Sequence, residues 1–173
     1  MGKYSLANEN NGLPRTVYEN AQINIASYPG IWKFIDWLPV DNILNGFDGG
    51  CVTYKSSGLS RELGLNNLYI AFNGYWPEIN ANLDTCSFKD LEAGPTVEML
   101  HEKREKRILT VASAGNTARA FANTCHLADL PLLLVVPKNS LSKLWIPENV
   151  PEDKIFLLCV DGDYSEAISV SDR

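Results

Sequence analysis

A chain of 173 residues, 45% hydrophobic and 21% charged, lies in the size range of one globular domain with a sizeable core, and this composition excludes intrinsic disorder. The formal net charge of −6 offers no electrostatic footprint for nucleic acid or an anionic membrane surface, although loops that bind small anions remain open. No apolar run approaches the roughly 20 residues that span a bilayer, and residues 1–12 lack the basic start and apolar stretch of a signal peptide, so a cytoplasmic protein is expected.

Taken in chain order, residues 1–84 are loop-rich, punctuated by Pro29, Gly30, Pro39, Gly46–Gly50 and Pro77. An apolar, aromatic face runs through 30–38 (G-I-W-K-F-I-D-W-L), a short helix is predicted at 56–63, and N-L-Y-I-A-F at 67–72 reads as a strand. After residue 87 the texture becomes regular. A helix is predicted over 96–106, a strand at 107–112, a helix at 116–128, strands at 131–136 and 154–160, and a helix from Tyr164. The last two strands are continuous apolar runs, as expected where both faces of a sheet are covered. This alternation predicts an α/β unit with a parallel sheet and helices on its faces.

The four cysteines, Cys51, Cys86, Cys125 and Cys159, have no C-x-x-C spacing and are expected to be thiols packed in or near the core. His101 and His126 sit near helix ends without metal-ligand spacing, so no metal site is expected. Tyr75 and Trp76, next to Pro77, are read as packing aromatics, and G-F-D-G-G at 46–50 precedes no helix that would make it a phosphate cradle.

Two stretches carry chemistry. A-S-A-G-N-T-A at 112–118 follows a predicted strand and opens a predicted helix, so its backbone N–H groups face outward at the positive end of the helix dipole, where anions bind. An ordinary strand-to-helix turn with a polar cap would read the same way. S-F-K-D at 87–90 places Lys89 where a polar loop gives way to a helical pattern.

Together the two motifs resemble the pyridoxal-phosphate enzymes of the tryptophan-synthase-β fold type, or fold type II, which include threonine synthase, cysteine synthase and cysteate synthase. W-L-P-V at 37–40, V-T-Y-K-S-S-G-L at 52–59, F-N-G-Y-W-P-E at 72–78 and T-C-S-F-K-D-L-E-A at 85–93 are most similar to the cysteate synthases. The likeness runs from about residue 12 to residue 173. Threonine synthases usually read T-G-S-F-K-D-R, from which Cys86 and Leu91 depart.

The resemblance implies a three-layer αβα parallel-sheet unit of a fold type II enzyme, incomplete here. Residues 1–86 would belong largely to a larger domain, leaving Trp32, Phe34 and Trp37 short of cover, and 87–173 would form the small domain. It also implies that Lys89 forms the Schiff base with the cofactor aldehyde and then takes the substrate's α-proton. Asn116 would bond the cofactor's ring oxygen, and the backbone of Ser113, Ala114, Gly115 and Thr117 would hold the substrate carboxylate. Thr85 is a candidate contact for a substrate phosphate, although such hydroxyls more often cap the next helix. The implied reaction is β-replacement forming L-cysteate from O-phospho-L-serine and sulfite, in coenzyme M biosynthesis. Threonine synthase activity on O-phosphohomoserine is the alternative within the class, and a non-catalytic α/β anion-binding module is the alternative outside it. A Rossmann dinucleotide domain is disfavoured because no G-x-G-x-x-G opens a helix. The glycine-rich loop that holds the cofactor phosphate in such enzymes does not follow Asn116, so the chain is expected to be an N-terminal portion of a longer enzyme that could be a homo-oligomer when full length.

Overall fold

The computed structural model describes residues 27–148 and 150–172. The chain enters through a 3-10 helix at Gly30–Trp37, and backbone crosses backbone at its start. Gly30 has φ +57, and a Cβ there would lie 2.3 Å from the Asp48 carbonyl oxygen, so only glycine fits. Trp32 is fully buried, donates from Nε1 to the Phe47 carbonyl at 2.7 Å and meets the Phe47 ring edge-on at 5.9 Å. The expectation that Trp32 would lack cover is therefore corrected: the segment around residues 30–47 packs into the same core as the helices that follow. Phe34 is exposed and Trp37 half-buried.

Strands β1 (Val52–Lys55) and β2 (Tyr69–Phe72) pair antiparallel around α1 (Ser57–Leu63), which ends at Gly64 in the left-handed conformation. A small hairpin, β3 (Tyr75–Trp76) with β4 (Ala81–Asn82), follows. Tyr54 and Phe72 each meet Trp76 edge-on with centroids 6.0 Å apart, so the ribbon and hairpin hold together through aromatics.

Helix α2 is Asp90–Glu102 and begins six residues before its predicted start at 96. Gly94 and Pro95 suggest a break, but the chain has already closed a turn: the Ser87, Phe88 and Lys89 carbonyls accept from Asp90, Leu91, Glu92 and Ala93 at 3.0–3.2 Å. Burial of Ala93, Gly94, Pro95, Val97 and Leu100 then outweighs the one backbone donor that Pro95 lacks.

The remaining elements are β5 (Leu109–Ala112), α3 (Asn116–Leu127), β6 (Leu132–Pro137), β7 (Ile155–Val160) and α4 (Tyr164–Ser171). The three strands form a parallel sheet in the order β5-β6-β7, with Val111 opposite Leu134 and Leu134 opposite Leu157. Leu132, Leu134 and Val136 share a core with α2 and α3. Val135, on the other face of β6, is equally buried, and α4 packs on β5 and β6 with Ala167 fully enclosed, which gives the three-layer αβα order. The capping box at α4 is complete, Asp163 accepting from Ser165 and Glu166 N–H while Glu166 accepts from Asp163 N–H.

β7 departs from expectation. Phe156, Leu157 and Leu158 are 42–49% exposed, so the middle of its apolar run is only partly covered on either face by the described residues, while Ile155 packs against the core. The cysteines divide as well. Cys125 is buried, and desolvation pushes its thiol up to about 12, whereas Cys86 and Cys159 are exposed rather than packed in the core.

Candidate active site

Lys89 stands at the N-cap of α2, and the turn before it is held by a buried carboxylate. Asp90 is 1% exposed; its Oδ1 accepts from the Thr85 hydroxyl at 2.6 Å and its Oδ2 from the Thr85 N–H at 3.0 Å. Burial raises the Asp90 carboxyl above its ordinary value, the two Thr85 hydrogen bonds oppose this, and the charges of Asp84 and Arg119 act in opposite directions with smaller weight. Thr85 is itself fully buried, so its hydroxyl faces Asp90 rather than open space. Between them Cys86 adopts φ +55, which turns the chain sharply enough for Ser87 Oγ to accept from the Lys89 N–H at 3.2 Å.

The Lys89 side chain is about one-third exposed. Its Nζ lies 2.6 Å from Glu92 Oε2, one helical turn on, and 5.2 Å from the centre of the exposed Phe88 ring. An aldehyde can reach this amine, but Glu92 must first release it.

The second motif follows β5. Ser113 Oγ accepts from the Gly115 N–H at 3.2 Å and the Ala118 N–H at 3.3 Å, so this serine fastens the turn by which α3 begins. A Cβ added at Gly115 would meet nothing within 4 Å, and open space lies over the turn. Ser113, Ala114 and Gly115 line a cavity of about 420 Å³ together with Asn139, Lys143 and Tyr164. Lys89, Asn116, Thr117 and Thr85 do not line that cavity. Asn116 is exposed at the first position of α3 and accepts through Oδ1 from the Arg119 guanidinium. A larger cavity of about 1120 Å³ lies beside Glu98, Glu102 and Asp129 and contains none of the motif residues, so its size does not make it the site.

The two motifs are joined through their helices. α2 packs along α3, Asp84 accepts from Asn123 on α3 at 3.5 Å, and Arg119 acts electrostatically on Asp90. Two residues escaped sequence reasoning. Asp90 carried a weak signal, as a carboxylate at the first position of a helix, and Arg119 a better one, since residues three apart on a helix are neighbours and Arg119 lies three beyond Asn116. Among the described residues no group of three or more His, Cys, Asp and Glu is placed to hold a metal, and no helix is long and apolar enough to cross a membrane.

Pyridoxal phosphate asks a protein for a reachable primary amine, a donor at its ring oxygen and open N–H groups for its substrate's anion. The one-third-exposed Lys89 amine and the outward Asn116 amide fit the first and second of these, and the open space over the turn at Gly115 leaves room for the third, with the Gly115 N–H itself held by Ser113 Oγ. The family model of the pyridoxal-phosphate dependent enzyme matches residues 51–171, and the chain belongs to that family. Its fold is the αβα unit of a fold type II enzyme, and the cofactor of that family is pyridoxal phosphate.

Among individual proteins, the chain is 51% identical over 161 residues to the cysteate synthase of Methanothrix thermoacetophila, covering 93% of this chain and 38% of that protein. To the cysteate synthase of Methanococcoides burtonii it is 50% identical over 165 residues, covering 95% and 39%. To that of Methanosarcina barkeri it is 45% identical over 174 residues, covering 99% and 41%. The chain thus spans about two-fifths of the length of the curated relatives it matches.

Proposed function

We propose that these residues serve, in a full-length protein, a pyridoxal-phosphate-dependent β-replacement in which sulfite takes the place of the phosphate of O-phospho-L-serine, forming L-cysteate and releasing inorganic phosphate, a step toward coenzyme M. The observation that carries this reading is the pairing of an accessible lysine at the start of α2 with an asparagine amide and an open anion turn at the start of α3, two helices packed together. The similar proteins are named cysteate synthases, which supports the choice of product. When bound, pyridoxal phosphate supplies the electron sink that makes the α-proton of an amino acid removable.

In this reading Lys89 Nζ, freed from Glu92, would hold the cofactor and would receive the substrate's α-proton. Glu92 stays within reach of that nitrogen. Asn116 donates its amide N–H to the ring oxygen. The turn at Ser113–Thr117, with the α3 dipole behind it, would receive the substrate carboxylate through the backbone N–H groups that Ser113 Oγ does not hold, while the Ser113 side chain, accepting from the Gly115 and Ala118 N–H groups, keeps that turn in shape. Thr85 contributes through Asp90, whose carboxylate fixes the turn from which Lys89 projects.

The test is a full-length protein carrying this sequence, supplied with O-phosphoserine and sulfite on one side and O-phosphohomoserine with water on the other. Cysteate formation that disappears in Lys89→Ala is the expected result. Threonine formation in place of cysteate would move the assignment to threonine synthase, and no turnover with either substrate despite cofactor binding would leave an anion-binding module.

A further inference from the structure

We infer that Arg119 is a positioning residue that fixes which end of the Asn116 amide faces the cofactor. The inference rests on the role given to Asn116 above. A primary amide has one accepting and one donating end, and only the donating end serves a ring oxygen that carries negative charge. Exposed at the first position of α3, Asn116 has little packing to choose between the two orientations.

Arg119 makes the choice. Its guanidinium has N–H donors and no acceptor, so Asn116 must present Oδ1 to it, as the hydrogen bond between them shows. The opposite orientation would set two donors against each other. With Oδ1 committed, the Nδ2 donors turn away from Arg119, and hydrogen bonding to a cation polarises the amide and strengthens those donors.

The guanidinium is itself held in place. It stacks on Trp145 with Cζ 4.3 Å from the ring centre, which brings in the segment after β6. It lies close enough to the buried Asp90 for its charge to act there, linking the asparagine to the helix that carries Lys89. Its Nε is buried without a hydrogen-bond partner in the structure, and the guanidinium is held by the stack on Trp145 and the bond to Asn116.

The experiment uses the full-length protein, titrated with pyridoxal phosphate and followed by the position of the visible cofactor band and by the dissociation constant, with Asn116→Ala, Arg119→Met, Arg119→Lys and the Asn116→Ala/Arg119→Met double variant. Loss of one charge-assisted hydrogen bond predicts cofactor binding about tenfold weaker in Arg119→Met. The band is expected to shift in the same direction as in Asn116→Ala, and the double variant to be little worse than Asn116→Ala alone, because the two act through one amide. Lysine, which also only donates, is expected to restore most of the binding. A wild-type band and affinity in Arg119→Met, or fully additive losses, would overturn the role of Arg119. A wild-type band and affinity in Asn116→Ala would instead overturn the reading of Asn116. Should Arg119→Met not fold, Arg119→Gln replaces it: glutamine both donates and accepts, so it should bind the cofactor more weakly than Arg119→Lys, and equality of the two would count against the inference.

Discussion

Cys86 occupies a conformation that its side chain does not favour. The left-handed region costs a residue with a Cβ roughly 1–2 kcal/mol, and threonine synthases usually read glycine where Cys86 stands. Its φ of +55 persists because Thr85 on one side is tied to the buried Asp90 and Lys89 on the other is tied to Ser87. Replacing it by glycine relieves the Cβ conflict but frees the unfolded chain, and the two effects partly cancel. Cys86→Gly is therefore expected to stabilise the folded chain by up to about 1 kcal/mol, read as a thermal midpoint roughly 2–4 °C higher. A lower midpoint would mean that the exposed thiol makes contacts worth more than the strain it imposes.

At the scale of elements, α2 shows why a breaker signal misleads. Gly94 touches the Phe47 ring so closely that an added Cβ would lie 2.6 Å from Cε1, and Phe47 is pinned by the Trp32 hydrogen bond and ring contact. Alanine gains about 1 kcal/mol over glycine in helix propensity, while overpacking a tight core costs about 1–3 kcal/mol. Gly94→Ala should therefore destabilise the chain, by about 1 kcal/mol in denaturant melts, and should cost much less in a Phe47→Leu background where the ring is gone. Equal cost in both backgrounds would place the strain elsewhere. The same tertiary contact hid the helix start from the sequence: Gly94-Pro95 reads as punctuation, whereas burial against Phe47, 47 residues earlier in the chain, makes it helix interior. α3, β6 and α4 were legible because their periodicity or apolar run and their first residues are local properties. The β1 strand and the β3–β4 hairpin were not, because strands of four and two residues carry too little periodicity. At the site, the Lys89 and Asn116 motifs stand in the sequence, but the Asp90–Thr85 tie and the Arg119–Trp145 stack appear only once the chain folds.

Over the whole molecule the sheet is unevenly finished. β6 is sealed on both faces, whereas β7 hydrogen-bonds to β6 along one edge and leaves Phe156, Leu157 and Leu158 nearly half exposed. Continuous apolar strands belong in sheet interiors, and an uncovered apolar edge strand templates association. The relatives carry about three-fifths of their length outside the matched region. Studied by itself, the 173-residue chain is expected to self-associate with rising concentration in sedimentation velocity and to bind a hydrophobic dye. Phe156 and Leu158 share one face of β7 because side chains two apart point the same way, so Phe156→Lys/Leu158→Lys should shift the chain toward monomer while leaving the α3 side of the sheet folded, seen as retained helical circular dichroism. A wild-type chain that stays monomeric at all concentrations and binds no dye would show that the half-exposed β7 does not drive association.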